Sequence, residues 1–170
     1  MDRRKVFGAT FVILAIVLTC FIYVPVRAED GGQFKVQLIA GKHIGVGYVY
    51  VTVEDGFLNV TYVTNGTWAL AETHLAVVTD PDDFPTTKNG NPKVGKFPYK
   101  HENLGDVTKD VYLIPMDQFG SASCLYIAAQ AVVVQQNGAM ETAWAEGKRF
   151  TEQGNWATYF YYPLEEIVLE

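Results

Sequence analysis

Only two residues, Asp55 and Gly56, separate two runs in which apolar and polar side chains alternate. Upstream, His43–Glu54 sets Val49, Val51 and Val53 against Tyr48, Tyr50 and Thr52, and downstream Phe57–Thr64 continues the pattern. A period of two with one apolar face describes a strand half in a core, because successive Cβ atoms leave opposite faces of a sheet. An Asp-Gly pair between such runs predicts a type I′ turn, whose two central residues need positive φ. The chain is therefore expected to hold an antiparallel hairpin. A lone hairpin is marginal in water, so its apolar face needs further strands.

Those strands are visible on both sides. Phe34–Ala40 precedes a Gly41-Lys42 turn, and Asn65-Gly66 leads into Thr67–Thr79, which would extend the hairpin to a three-strand meander. Val111–Met116, Cys124–Val134 and Asn155–Tyr162 are rich in β-branched and aromatic residues and bounded by turn formers. Two stretches lack periodicity: Asp80–Asp110, with Pro81, Pro85, Pro92 and Pro98, and Glu141–Gly154. Loops of that length in a compact domain tend to carry function. Seven or eight short strands with no helical period predict an all-β fold over residues 34–164, an antiparallel β-sandwich of immunoglobulin-like or jelly-roll-like type. Residues 29–33 read as a lead-in and 165–170 as a tail or short strand.

Ahead of this domain runs Val6–Val26, without a charged side chain and preceded by Arg3, Arg4 and Lys5. A basic start, an apolar stretch and the exit Val26-Arg27-Ala28 describe a signal peptide cut after Ala28. The stretch is also long enough to span a bilayer as a hydrophobic helix, which describes a signal anchor instead. Positive residues stay cytoplasmic, so either reading sends the body outward, to the extracellular space or the outer cell surface. Cys20 belongs to the apolar stretch, which leaves Cys124 as a single cysteine and no intrachain disulfide. Setting aside Arg3, Arg4, Lys5, Arg27 and Asp2 from 13 basic and 19 acidic residues leaves 9 and 18, a formal charge of −9. Such an acidic body is a poor match for nucleic acid or an anionic membrane. Contact with a membrane is expected only through residues 6–26.

Several side chains could carry chemistry. Asn59-Val60-Thr61 and Asn65-Gly66-Thr67 are glycosylation acceptor patterns, one on a strand's polar face and one in a turn. Asp80, Asp82 and Asp83 open the first long loop and could converge on calcium, although the sequence firmly implies no cofactor. Glu72 and His74 share a strand face, and with His101 they make a candidate transition-metal set. Ser121 and Ser123 lack a nucleophile elbow, and Glu141 with Glu146 lacks any support as a glycosidase pair, so no catalytic motif is found. Trp144 and Tyr99, read as loop residues, are candidates for stacking on a sugar.

The strings ETHLAVV, KNGNPKVGKFPYKHE, LYIAAQAVV, ETAW and GNWATYFYY, in that order over residues 45–162 or so, resemble a module of exported microbial proteins. The resemblance implies an extracellular β-sandwich and brings no activity with it. In that module a histidine often stands where this chain has Gln130, so a metal reading that enlists this position is weakened here. The expected role is a structural or adhesive one at the cell surface, without catalysis, toward other surface proteins or polysaccharide. A carbohydrate-binding module, with or without calcium, is the alternative. A small metal-dependent hydrolase and a filament subunit assembling by strand pairing rank below it.

Overall fold

The computed structural model describes residues 33–164, and the apolar stretch 6–26, Cys20, the cut after Ala28, lead-in residues 29–32 and the tail 165–170 lie outside them. The hairpin forms as the alternation requires. Strands β1 (Phe34–Ala40), β2 (Ile44–Glu54) and β3 (Phe57–Thr64) follow one another, with β2 and β3 in register from Glu54↔Phe57 to Gly47↔Thr64. Asp55 and Gly56 take φ of 51° and 79°, the pair of left-handed values a type I′ turn needs. β1 covers the other edge of β2.

The meander expected from residue 43 to residue 79 ends at β3. The next strand, β4 (Trp68–Val78), leaves the hairpin at Asn65-Gly66, where the Trp68 N–H donates to Asn65 O. The far edge of β3 is taken instead by β6 (Lys109–Pro115), paired from Phe57↔Pro115 to Val63↔Lys109. Tyr112 and Ile114 of β6 extend the apolar face that Leu58, Val60 and Tyr62 begin, so β4 finds no free edge there.

β4 pairs along its whole length with β7 (Cys124–Gln135), with a register shift between Leu70 and Glu72. β8 (Met140–Ala145) joins β7 to β1, so the second expected loop is partly strand. Ala143-Trp144-Ala145 has little intrinsic strand signal, and its two paired neighbours supply the context that propensity lacks. The first expected loop likewise contains β5 (Tyr99–His101), which lies on the free edge of β4. Short β9 (Lys148–Arg149) pairs with β10 (Thr158–Pro163), which runs along the first half of β7.

Every pairing is antiparallel, and the main path reads β5-β4-β7-β8-β1-β2-β3-β6. Its ends nearly meet. Leu70 N–H donates to Val107 O at 2.6 Å and Leu104 N–H to Ala71 O at 3.0 Å, which brings the entry of β6 back to β4. The protein is thus all-β, an antiparallel sheet curled until it is nearly closed and barrel-like. Among the described residues no helix is long and apolar enough to cross a membrane.

Alternation sorts the side chains into two cores. Inside the curl lie Leu38, Val49, Val51, Leu58, Val60, Leu75, Ile127 and Val133, all buried. Outside, on the face of β4, β7 and β8, a second cluster forms where the stretch from Asp80 to Pro98 folds back over the sheet. Phe84 and Phe97 from that stretch are buried over Ala76 and Ala128, whose small side chains leave room for rings. Phe84, Phe150 and Tyr159 meet at centroid distances of 5.0–5.3 Å, and Phe97 meets Trp144 edge-on. The long loop is therefore a packed cover, and Val94 and Gly95 at its edge line a groove on this face.

Candidate functional site

One row of side chains crosses the covered face from strand to strand. The register pairs Lys100 with His74, His74 with Gln130, Gln130 with Trp144 and Trp144 with Ile39. The next row toward the Asn137-Gly138 turn pairs Glu72 with Val132 and Val132 with Thr142. Between these rows a groove of 480 Å³ opens, floored by His74, Gln130, Val132, Thr142 and Trp144. Val94 and Gly95 form one rim, and Asn155 and Trp156 the other. The second rim is tied to the first loop, since Asn155 N–H donates to the Asn91 side-chain oxygen at 2.8 Å.

The floor is held by a defined hydrogen-bond chain. Gln130 is 4 % exposed, and its amide nitrogen donates to Ala131 O at 2.8 Å. Its amide oxygen is left to accept, and His74 Nδ1 lies 2.8 Å from it. This pattern assigns the proton to Nδ1. His74 Nε2 then faces Glu102 at 3.8 Å, a carboxylate that Lys100 also approaches at 3.7 Å. The backbone under His74 is pinned from within, because the buried Tyr62 hydroxyl donates to His74 O at 3.0 Å.

A second polar group closes the seam between β4 and β6. Thr73 is fully buried, and its hydroxyl donates to the Asp110 carboxylate and lies 2.7 Å from the Tyr112 hydroxyl. Tyr112 itself donates to Thr73 O at 3.0 Å. His101 Nδ1 lies 3.0 Å from both Asp110 oxygens, and its ring stacks on Tyr112 with centroids 4.4 Å apart. Burial pushes the Tyr112 hydroxyl up to about 12, with the Asp110 charge adding to the rise and the Thr73 hydrogen bond opposing it. Tyr62 is raised well above the usual tyrosine range, first by burial and then by Tyr112 and Asp110. Both phenols therefore stay protonated donors at neutral pH, which suits a structural clasp.

The metal set expected from Glu72, His74 and His101 does not assemble. Glu72 and His74 do share the outer face, but His101 pairs with Thr73 and so falls on the inner side, beside Asp110. Strand alternation separates neighbours 73 and 74 onto opposite faces, and their partners with them. The Asp80, Asp82 and Asp83 trio sits in a short 3₁₀ turn where the Asp80 carboxylate accepts the Asp82 N–H, capping that turn. Among the described residues no group of three His, Cys, Asp or Glu side chains is arranged to hold a metal ion.

Trp144 and Tyr99 also part company. Trp144 lies on β8, not in a loop, and is 4 % exposed beneath Phe97 and Phe150. Tyr99 turns to the inner core, against Tyr112, and donates to the Gln118 side chain at 2.8 Å. Asn59 is half-buried on the outer face of β3 with Thr61 donating to its side-chain oxygen, while Asn65 is exposed in its turn. Ser121 and Ser123 are exposed before β7, and Cys124 is half-buried at its start with a free thiol.

Among the polar and aromatic residues of the groove, Gln130, Thr142, Asn155 and Trp156 were not site candidates from the sequence. Only Gln130 left a signal, a single amide inside the apolar run of β7, where an unpaired polar group would be costly. No protein-family model, no curated protein and no solved structure matches the chain. What the groove can do follows from its lining, which combines indole surface with neutral amide and hydroxyl groups and one imidazole.

Proposed function

We propose that the protein is an exported, non-catalytic β-sandwich-type domain that adheres to polysaccharide at the cell surface through this groove. Sugars offer C–H faces to aromatic rings and hydroxyls to amides, and a cleft with a few placed polar groups on an apolar wall suits them. The observation that carries the reading is the cross-sheet row His74–Gln130–Trp144, a buried hydrogen-bonded pair abutting an indole on the groove floor. Trp156, half-buried on the rim, is the ring best able to stack, whereas Trp144 is buried against Phe97 and Phe150. Calcium is not required by this reading. Export rests on Val6–Val26 and the basic residues before it, and the sandwich-type description rests on the two cores to either side of the β4-β7-β8 face.

Glycan-array screening of the full-length protein, followed by calorimetry, tests the function. Binding of a polysaccharide that Trp156→Ala weakens at least tenfold, with the cooperative thermal transition retained, is the expected result. Absence of binding to every polysaccharide tried would sink it. Mass spectrometry of the native protein reports the mature N-terminus, and a cytoplasmic protein with intact residues 1–28 would refute export.

A further inference from the structure

Beyond Trp144 and Trp156 the groove continues. A second depression of 240 Å³ is lined by the same Trp144 and Trp156, together with Lys42, Glu146, Arg149 and Thr158. The indoles therefore stand between two halves of one cleft, a neutral half over Gln130 and Thr142 and a charged half over Lys42 and Arg149. We infer, resting on the glycan-binding reading above, that the cleft takes an acidic polysaccharide, with a uronate carboxylate in the charged half.

Three observations carry this. First, the chain beyond Ala28 has only 9 basic residues against 18 acidic ones, yet two of the nine line one small depression that the half-buried Trp156 also lines. Second, among the described residues no ion pair within 4 Å engages either cation, since the pairs there involve only His74, Lys100 and His101 with Glu102 and Asp110. Third, Arg149 is positioned by the loop that carries the stacking residue, since its guanidinium donates to Gly154 O at 3.1 Å and Asn155 O at 3.0 Å. Those bonds hold a positive charge one residue away from Trp156 before any ligand arrives, which lowers the ordering cost of binding. An arginine so held, with the exposed Lys42 lining the same depression, matches a carboxylate better than a neutral hydroxyl. Glu146 on the same wall accepts hydroxyl protons and repels a carboxylate, so it orients the sugar with its acid group toward Lys42 and Arg149.

The test uses the full-length protein and defined hexasaccharides. Hexamers of galacturonate, mannuronate and guluronate are titrated calorimetrically, alongside their fully methyl-esterified forms and neutral glucan and mannan hexamers. The expected result is that at least one uronate hexamer binds, that its ester binds at least tenfold more weakly, and that the acid-to-ester preference shrinks with added salt. Lys42→Gln is expected to reduce that preference about three- to tenfold, between the effect of an exposed ion pair and that of a charged hydrogen bond in a cleft. Arg149→Lys, which keeps the charge but loses the loop bonds, should weaken acid and ester together. Equal affinity for acid and ester, or a Lys42→Gln preference equal to wild type, would overturn the acidic ligand and leave the glycan groove standing. Failure of every acidic and neutral hexamer to bind would overturn both.

Discussion

Replacing Thr73 by Val probes the seam where the curled sheet closes. Val has nearly the shape of Thr, so the fully buried site gains no cavity, and what disappears is the hydroxyl. That hydroxyl donates to the Asp110 carboxylate and touches the Tyr112 hydroxyl at 2.7 Å. A hydrogen bond to a charged group contributes about 1.5–3 kcal/mol, and the lower half applies here because Asp110 keeps His101 as a partner. Tyr112 keeps its bond to Thr73 O, so its own desolvation stays satisfied. The expected loss is about 1.5–2 kcal/mol, or roughly 5–10 °C in melting temperature for a domain of this size. Urea denaturation of the wild type, Thr73→Val, Tyr112→Phe and the double variant measures it. An unchanged m-value with a lower midpoint would report stability alone. Because the two side chains share one network, the double variant should be less damaged than the sum by at least about 0.5 kcal/mol. A Thr73→Val protein within about 0.5 kcal/mol of wild type, with no coupling to Tyr112, would refute the view that side chains close the seam.

Alkaline pH should act on the same place. Tyr112 is pushed up to about 12 by burial, while the unfolded chain titrates near 10, so the folded state holds its proton more tightly. The stability this contributes is complete below pH 10 and is lost as pH rises from there toward 12, a loss that Tyr112→Phe should blunt in unfolding curves recorded across that range. Gly47→Ala should cost about 1–3 kcal/mol or more, because the new methyl would run into the Val63 carbonyl of the paired strand; a thermal melt matching wild type would contradict that register. If the acceptor sites are used, glycopeptide mass spectrometry should find Asn65 more fully occupied than Asn59, since one side chain is free in an exposed turn and the other is engaged by Thr61. Higher occupancy at Asn59 would run against that order.

Much of the fold was legible because strand periodicity is a local property. Val49, Val51 and Val53 announce a face whichever partner covers it, and Asp55-Gly56 demands its own turn. Pairing partners are not local. Asn65-Gly66 looks the same whether it closes a hairpin or sends the chain across the molecule, and only β6 at the edge of β3 decides between them. The irregular stretches hid β5 and β8 for a related reason: Tyr99–His101 and Ala143–Ala145 become strands because β4, β7 and β1 offer them hydrogen-bonding edges.

The site was half legible. His74 and Trp144 stood out by chemistry, and their placement on a common row with Gln130 depends on the register of three strands that meet only in the folded protein. His101 drew notice for the same chemistry and ended on the opposite face, clasping Asp110. What the sequence determined by itself is what each segment can do alone: alternate, turn, carry charge, or begin with an apolar run. Tertiary structure decided which faces met, because side chains two strands apart share a row only after hydrogen bonds between distant segments have set the register.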